Sequence, residues 1–148
     1  MAGAERKETL EVGLEPFFRA VCDFTKYPEF VSGAKAARLL PPEGDITRVE
    51  FEFDMMKRVK YVLRIQSKLD VAAGTGTVNW TMESSDMFKS NVGGWTMKSL
   101  APNKIEVVYK LDVEFNFSVP GFVLKGFIAK ALPAAIQEFA NRAKKVSA

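Results

Sequence analysis

The chain has 148 residues, 47% of them hydrophobic, which is enough apolar material for the core of one domain over residues 1–148. It carries 21 basic and 18 acidic residues, no histidine and one cysteine, Cys22, which excludes an internal disulfide and leaves no partner for a cysteine–histidine pair or a zinc site. No apolar run is long enough for a signal peptide or a membrane span, so we expect a cytoplasmic protein.

The first third of the chain predicts one strand, two short helices and a second strand. Residues 7–14 alternate in period two, and Pro16 begins a helix that ends at Thr25. A second short helix begins at Pro28, and a weaker strand follows over residues 35–40. The proline- and glycine-rich residues that come next predict a turn.

The third and fourth strands can be aligned with each other from their patterns. Alternate apolar residues predict an inward face that contains Phe51 and Phe53 on the third strand and Tyr61 on the fourth. A hairpin centred on Met56 then pairs Phe53 with Val59 and Phe51 with Tyr61. The same register sets opposite charges across from each other on the outer face, which supports it.

The rest of the chain predicts three more strands and a long helix. Strand five carries Trp80, a loop spans residues 84–91, and strand six covers residues 92–100. Residues 105–117 alternate almost without a break and predict a long seventh strand, whereas residues 122–146 change to helical spacing. Such a long strand requires a strongly curved sheet, so we expect the helix to lie across its concave side, over a hydrophobic interior.

Two segments of the chain resemble a known family. Residues 23–30, Asp-Phe-Thr-Lys-Tyr-Pro-Glu-Phe, resemble the "DFxxYPEF" segment of START-like polyketide cyclase/dehydrase and coenzyme-Q-binding proteins. Residues 94–97, Gly-Trp-Thr-Met, resemble the later "G-x-W" strand of that family, although the glycine is doubled here. The resemblance implies an α+β helix-grip fold, in which a curved antiparallel sheet of about seven strands wraps around a long C-terminal helix. It also implies two short helices after strand one and a lipophilic cavity.

The inward-facing residues of this sheet and helix are the candidate ligand-binding residues. Such pockets are mostly apolar with a few polar groups, and the phenols of Tyr61 and Tyr109 and the indole N–H of Trp95 suit a quinone or polyketide carbonyl. The alternative is that these side chains simply pack against the helix as core. The candidate set is Phe51, Phe53, Tyr61, Leu63, Trp80, Met82, Trp95, Met97, Tyr109, Leu111, Phe127 and Ala131.

The family contains quinone binders, aromatic polyketide cyclases and a ribosome-association toxin, so the resemblance leaves the function open. We expect binding or transport of a hydrophobic small molecule, such as a quinone, an isoprenoid or another lipid. An aromatic polyketide cyclase or dehydrase and a ribosome- or protein-interaction module are the alternatives. Without histidine, acid–base chemistry falls to Tyr61 and Tyr109, whose ordinary pKa of about 10 suits donors better than bases. We therefore predict no catalytic residue, cofactor or metal, and rank binding above catalysis.

Two predicted loop tips combine apolar and basic residues. One contains Met55 and Met56 and the other Met87 and Phe88, each beside lysine or arginine. Flexible methionines next to cations predict a rim that gates the cavity or contacts an anionic membrane surface transiently. The alternative is that Met55 and Met87 fold back onto the core.

A basic strip on strand four is a candidate nucleic-acid site. Opposite charges lie across from it on the neighbouring strands, and no exposed aromatic residues alternate with it. We therefore interpret the strip as a salt-bridged outer face of the sheet, with RNA or the ribosome as the alternative partner. The strip consists of Arg58, Lys60, Arg64 and Lys68.

Overall fold

A computed structural model describes residues 2–55 and 57–147 of the protein. Within these residues the strands are β1 (Ala2–Leu10), β2 (Ala34–Glu43), β3 (Ile46–Met55), β4 (Lys57–Asp70), β5 (Thr75–Ser85), β6 (Phe88–Ala101) and β7 (Lys104–Phe115). The helices are α1 (Leu14–Cys22), α2 (Tyr27–Phe30) and α3 (Gly121–Ser147), and a 3-10 turn at Phe24–Lys26 joins α1 to α2.

The strands form one curved antiparallel sheet in the order β1-β7-β6-β5-β4-β3-β2. The long helix α3 packs against α1 and β1, at one side of the sheet. The predicted helix-grip fold is confirmed, with its short helices after the first strand. Within the described residues, no helix combines the length and the hydropathy needed to cross a bilayer.

The predicted register of the β3–β4 hairpin is confirmed. Phe53 pairs with Val59 and Phe51 with Tyr61, as the alternating pattern requires. The predicted neighbours Trp95 and Tyr109 are also paired, across β6 and β7. Because side chains alternate across a strand, these pairs bring the large aromatic residues of four strands onto one concave face.

The predicted start of the chain is corrected by the structure. Strand β1 ends at Leu10, because α1 already begins at Leu14, and β1 pairs with β7 from Ala2 to Leu10. Pro16 is therefore the third residue of α1 instead of the first. This position costs nothing, since the first four N–H groups of a helix have no acceptor within the helix.

The predicted loop over residues 84–91 is also corrected, because β6 begins at Phe88. Phe88 pairs with Phe115 and Asn91 with Val113, and a register shift lies between Phe88 and Ser90. Most residues of the expected loop are polar, but β5 extends to Ser85, and pairing with the long strand β7 brings the residues from Phe88 onward into the sheet. Asn91 thereby joins the face of β6 that carries Trp95.

Candidate functional site

A cavity of about 490 Å³ lies between the concave face of the sheet and α3. Small-molecule sites typically measure roughly 300–1,000 Å³ and have mostly apolar walls, as this cavity has. Ten of the candidate residues from the sequence line it: Phe51, Phe53, Tyr61, Leu63, Trp80, Trp95, Tyr109, Leu111, Phe127 and Ala131.

The cavity exists because α3 presents small side chains to it. Ala131, Ala134 and Ala135 line the cavity, whereas Leu132 and Ile136 of the same helix are buried in the core. Methyl side chains leave volume that leucine or phenylalanine would occupy. The sheet contributes large rings, and the middle of α3 contributes alanines between Phe127 and Phe139, so the interior is apolar without being filled by protein atoms.

Two candidate residues do not line the cavity. Met97 is fully buried, and its Sδ would lie 3.5 Å from a Cβ placed at Gly76, which puts it in the core between β5 and β6. Met82 is half-buried, pairs with Leu63 across β4 and β5, and packs against the edge of the core. Both side chains face inward, as their strand positions predict, but neither borders the cavity.

The predicted rim is corrected at Phe88. This residue is 3% exposed, and its ring lies 5.1 Å from Tyr61 and 4.9 Å from Phe115, measured between centroids. It lines the cavity because β6 begins at this residue instead of four residues later. Met87 is half-buried against the core. Met56 lies outside the described residues, as does the side chain of Met55.

Aromatic residues near the resemblance segment form a part of the cavity wall that the sequence analysis did not identify. Phe24 and Tyr27 line the cavity from the turn and from α2, and Phe139 lines it from α3. The Tyr27 hydroxyl donates a hydrogen bond to the Val21 carbonyl, which holds the turn against α1. The conspicuous Phe-x-x-Tyr spacing was the signal that could have located these rings.

Besides Tyr27, two more tyrosines line the cavity. The ring of Tyr109 stacks on Trp95 with centroids 4.1 Å apart and planes 5° apart, and the ring of Tyr61 stacks on Phe53. Within the described residues the structure shows no hydrogen bond for either hydroxyl. Burial raises the pKa of both phenols above the ordinary value, so each is a hydrogen-bond donor and a poor base.

Asn91 is a polar wall residue that the sequence analysis missed. It is 5% exposed, it lines the cavity, and its Oδ1 accepts a hydrogen bond of 3.0 Å from Trp80 Nε1. The sequence analysis missed it because residues 84–91 were expected to form a loop. Counting back in steps of two from Trp95 would have placed it on the inner face.

Exposed polar residues line the cavity where it reaches the protein surface. Ser32 follows α2, Asp54 lies at the end of β3, and Lys130 lies on α3. The carboxylate of Glu138 accepts a hydrogen bond of 3.2 Å from the Ser32 backbone N–H and another from its hydroxyl. We call these four residues the cavity mouth. Glu138 and Ser32 join α3 to the segment after α2 there.

Gly33 shapes the cavity mouth through its backbone. Its φ is +84°, and a Cβ at this position would lie 2.7 Å from the carbonyl oxygen of Asp54. Its own carbonyl accepts a hydrogen bond of 2.8 Å from the Asp54 N–H. Glycine is required here because other residues rarely adopt a positive φ and any side chain would collide with β3.

The basic strip on β4 forms ion pairs across the outer face of the sheet. Arg58 pairs with Asp54 and Glu52, and Arg64 pairs with Glu43 and Glu83. Glu52 contacts Arg58 instead of Lys60, the partner that the strand pairing predicts. These pairs are exposed, so each contributes little to stability. They supply neutralising partners for the two arginines of the strip.

Cys22 is half-buried, and burial raises the pKa of its thiol from 9.0 to about 11. This rise lowers the thiolate fraction at pH 8 about 100-fold, and the thiolate is the nucleophile. We expect iodoacetamide to alkylate the folded protein at pH 8 about 100-fold more slowly than the urea-unfolded protein, with a rate that rises toward pH 11. Mass spectrometry of timed samples measures both rates. Equal rates would contradict the buried thiol.

Among the described residues, no group of three or more side chains could hold a metal ion. The site therefore consists of an apolar and aromatic cavity, a few hydrogen-bonding groups in its wall, and a polar mouth.

Comparison with known proteins gives a family model and several solved structures. The family model described as "Polyketide cyclase / dehydrase and lipid transport" matches residues 11–140. No curated protein sequence matches the chain significantly.

The solved structures share the fold at low sequence identity. A START superfamily protein from Mycobacterium smegmatis is 16% identical, with a TM-score of 0.84, over 97% of this chain and 98% of its own. The Zhui aromatase/cyclase from Streptomyces sp. R1128 is 12% identical, with a TM-score of 0.81, over 99% of this chain and 96% of its own. Human StAR-related lipid transfer protein 5 is 13% identical, with a TM-score of 0.80, over 99% of this chain and 77% of its own.

Proposed function

Because the chain belongs to the polyketide cyclase/dehydrase and lipid transport family, we propose that it binds and carries a neutral hydrophobic small molecule, such as a quinone, an isoprenoid or another lipid. The observation that carries this proposal is the cavity of about 490 Å³ between aromatic strands and the alanines of α3. Burying an apolar molecule there removes its surface from water, which supplies the free energy of binding. The mouth near Ser32 and Glu138 is the entry route.

The ionisable groups of the cavity support binding over catalysis. The carboxylates that line it lie at the mouth, where Asp54 pairs with Arg58 and Glu138 accepts hydrogen bonds from Ser32. Burial raises the pKa of the Tyr61 and Tyr109 phenols, so neither phenol is a base near neutral pH. Each can still donate a hydrogen bond to a bound oxygen atom.

An aromatic polyketide cyclase or dehydrase is the second candidate function. It is favoured by the two tyrosine hydroxyls of the cavity wall, which could polarise a substrate carbonyl. A solved relative that shares the fold is named as an aromatase/cyclase. If this function holds, turnover of a polyketide substrate is lost in Tyr61→Phe or Tyr109→Phe, while the affinity for that substrate changes much less.

Native mass spectrometry of gently purified protein tests the binding proposal. We expect a species heavier than the 16.5 kDa chain, and an organic extract that contains an apolar molecule of the mass difference. The extracted protein is then titrated with diphenylhexatriene, a neutral fluorescent probe, and we expect saturable binding. A bare chain that also fails to bind the probe would contradict the proposal and favour a protein- or ribosome-interaction module.

A further inference from the structure

Asn91 is a deeply buried polar side chain in a mostly apolar wall. It is 5% exposed and lines the cavity from β6, on the same side of the strand as Trp95. Among the described residues, Asn91 is the one buried polar side chain that is not aromatic. Burying an amide is costly unless its hydrogen-bonding groups are satisfied, so this position calls for a specific role.

Trp80 determines which way the Asn91 carboxamide points. The indole Nε1 donates to Asn91 Oδ1 at 3.0 Å. Because an indole N–H can only donate, it must face the carboxamide oxygen, and the NH₂ group takes the opposite side. The tryptophan therefore assigns the amide orientation on chemical grounds, and the two N–H donors of Nδ2 are left for another partner.

The described residues offer no acceptor for Asn91 Nδ2. Among their side-chain nitrogen and oxygen atoms, Asp112 Oδ1 is the one that is fully buried and has no hydrogen-bond partner. Since Nδ2 also has no partner, it must retain some accessible surface. Asn91 is 5% exposed and lines the cavity, and the accessible surface of Nδ2 is therefore cavity surface. Nδ2 is therefore the group of Asn91 that remains available to a ligand in the cavity.

The indole that orients Asn91 is itself held in place by a glycine. Trp80 pairs with Gly93 across β5 and β6, and a Cβ at Gly93 would lie 2.5 Å from Trp80 Cζ2. Only glycine lets the indole lie across β6 and reach Asn91. The ring of Tyr109 also contacts Trp80, with centroids 6.2 Å apart. The donor is thus preorganised by its neighbours.

We propose that the Asn91 side-chain amide is the donor by which the cavity selects neutral ligands that carry a carbonyl oxygen, such as ketones, quinones or esters. This inference rests on the proposed function, ligand binding in the cavity. The Tyr109 hydroxyl is a second donor in the same wall, and the lining carboxylates, Asp54 and Glu138, lie at the mouth. A site whose deep polar groups are donors favours a ligand with an acceptor over one of equal shape without it.

Two ligands of the same shape test this selection. Fluorene and 9-fluorenone share a three-ring frame, and fluorenone has a carbonyl where fluorene has a methylene group. By isothermal titration calorimetry we expect the wild-type protein to bind fluorenone about 10-fold more tightly than fluorene, since the hydrogen bond is formed in an apolar site. Asn91→Leu should lose most of this preference, because the Asn91 donor is gone and the apolar volume is retained, although the Tyr109 hydroxyl remains in the wall.

Asn79→Leu is the matched control, because Asn79 is an exposed asparagine on the neighbouring strand β5. It should keep the wild-type preference for fluorenone. A second measurement uses the wild-type protein alone, so it does not depend on how a variant folds. In ¹⁵N-correlated NMR spectra, the Asn91 side-chain NH₂ signals should shift downfield with fluorenone and much less with fluorene. A purely structural role for Asn91 would not produce this difference.

The outcomes separate this inference from the proposed function. Equal affinity of the wild-type protein for both ligands, a preference that survives undiminished in Asn91→Leu, or equal NMR shifts would overturn the role of Asn91 and leave ligand binding intact. Failure of both ligands and of diphenylhexatriene to bind would overturn the proposed function, and this inference with it.

Discussion

Phe139→Ala will lower the free energy of unfolding by about 3–5 kcal/mol, the usual cost of removing a buried phenylalanine ring. Phe139 is 4% exposed and is the main aromatic anchor of α3. Its ring centroid lies 5.2 Å from that of Tyr27 and 5.3 Å from those of Phe30 and Trp95. Removing the ring deletes these contacts of α3 with the sheet and with the short helix α2. Urea denaturation followed by circular dichroism measures the effect.

Phe122→Ala is the matched control for Phe139→Ala, because it makes the same substitution in the same helix. Phe122 is 80% exposed, so we expect a change of less than about 0.5 kcal/mol. Equal losses in the two variants would contradict the packing of α3 described above. A small loss in Phe139→Ala alone would mean that the cavity wall reorganises to fill the space.

Ala131→Trp will weaken fluorenone binding about 100-fold or more, a loss of about 2.7 kcal/mol. Ala131 is one of the alanines through which α3 borders the cavity, and an indole at this position occupies the volume that the ligand needs. The new ring extends into empty cavity space and does not displace packed atoms. The loss of stability should therefore stay below that of overpacking a core, which is typically about 1–3 kcal/mol. Calorimetry and urea denaturation measure the two quantities.

Ala129→Trp controls for the presence of a tryptophan in α3. Ala129 is exposed and does not line the cavity, so this variant should bind fluorenone as the wild-type protein does. Normal binding in a folded Ala131→Trp protein would show that the ligand lies elsewhere. The occluded variant also tests the carrier proposal, because its native mass spectrum should lack the co-purified species.

The strand register was predictable because two independent patterns agree at the same residues. The alternation of Phe51, Phe53 and Tyr61 defines an inner face, and the charges of Asp54 and Arg58 align on the outer face. A one-residue shift would have turned every ring toward water, so the pattern allows one register. The inner faces of β3, β4 and β7 were obtained in this way.

Element ends were less predictable, because pairing partners far away in the chain decide them. Residues 88–91 have no strong strand pattern of their own and are extended by pairing with β7. The wrong start of β6 also affected the predicted site, because it placed Phe88 on an exposed loop tip and left Asn91 out of the cavity wall. The Pro41–Pro42 segment was likewise expected to be a turn, yet it belongs to the edge strand β2, where missing N–H donors are tolerated.

The sequence by itself determined the helix-grip architecture and the apolar faces that line its interior, because side-chain periodicity is a local property of each strand and helix. Only the tertiary structure decided that the interior is a cavity, since this depends on which residues of α3 meet the sheet. Ala131, Ala134 and Ala135 line the cavity between Phe127 and Phe139, while Leu132 and Ile136 of the same helix are buried in the core. The orientation of the Asn91 amide was decided in the same way, by an indole from the neighbouring strand β5.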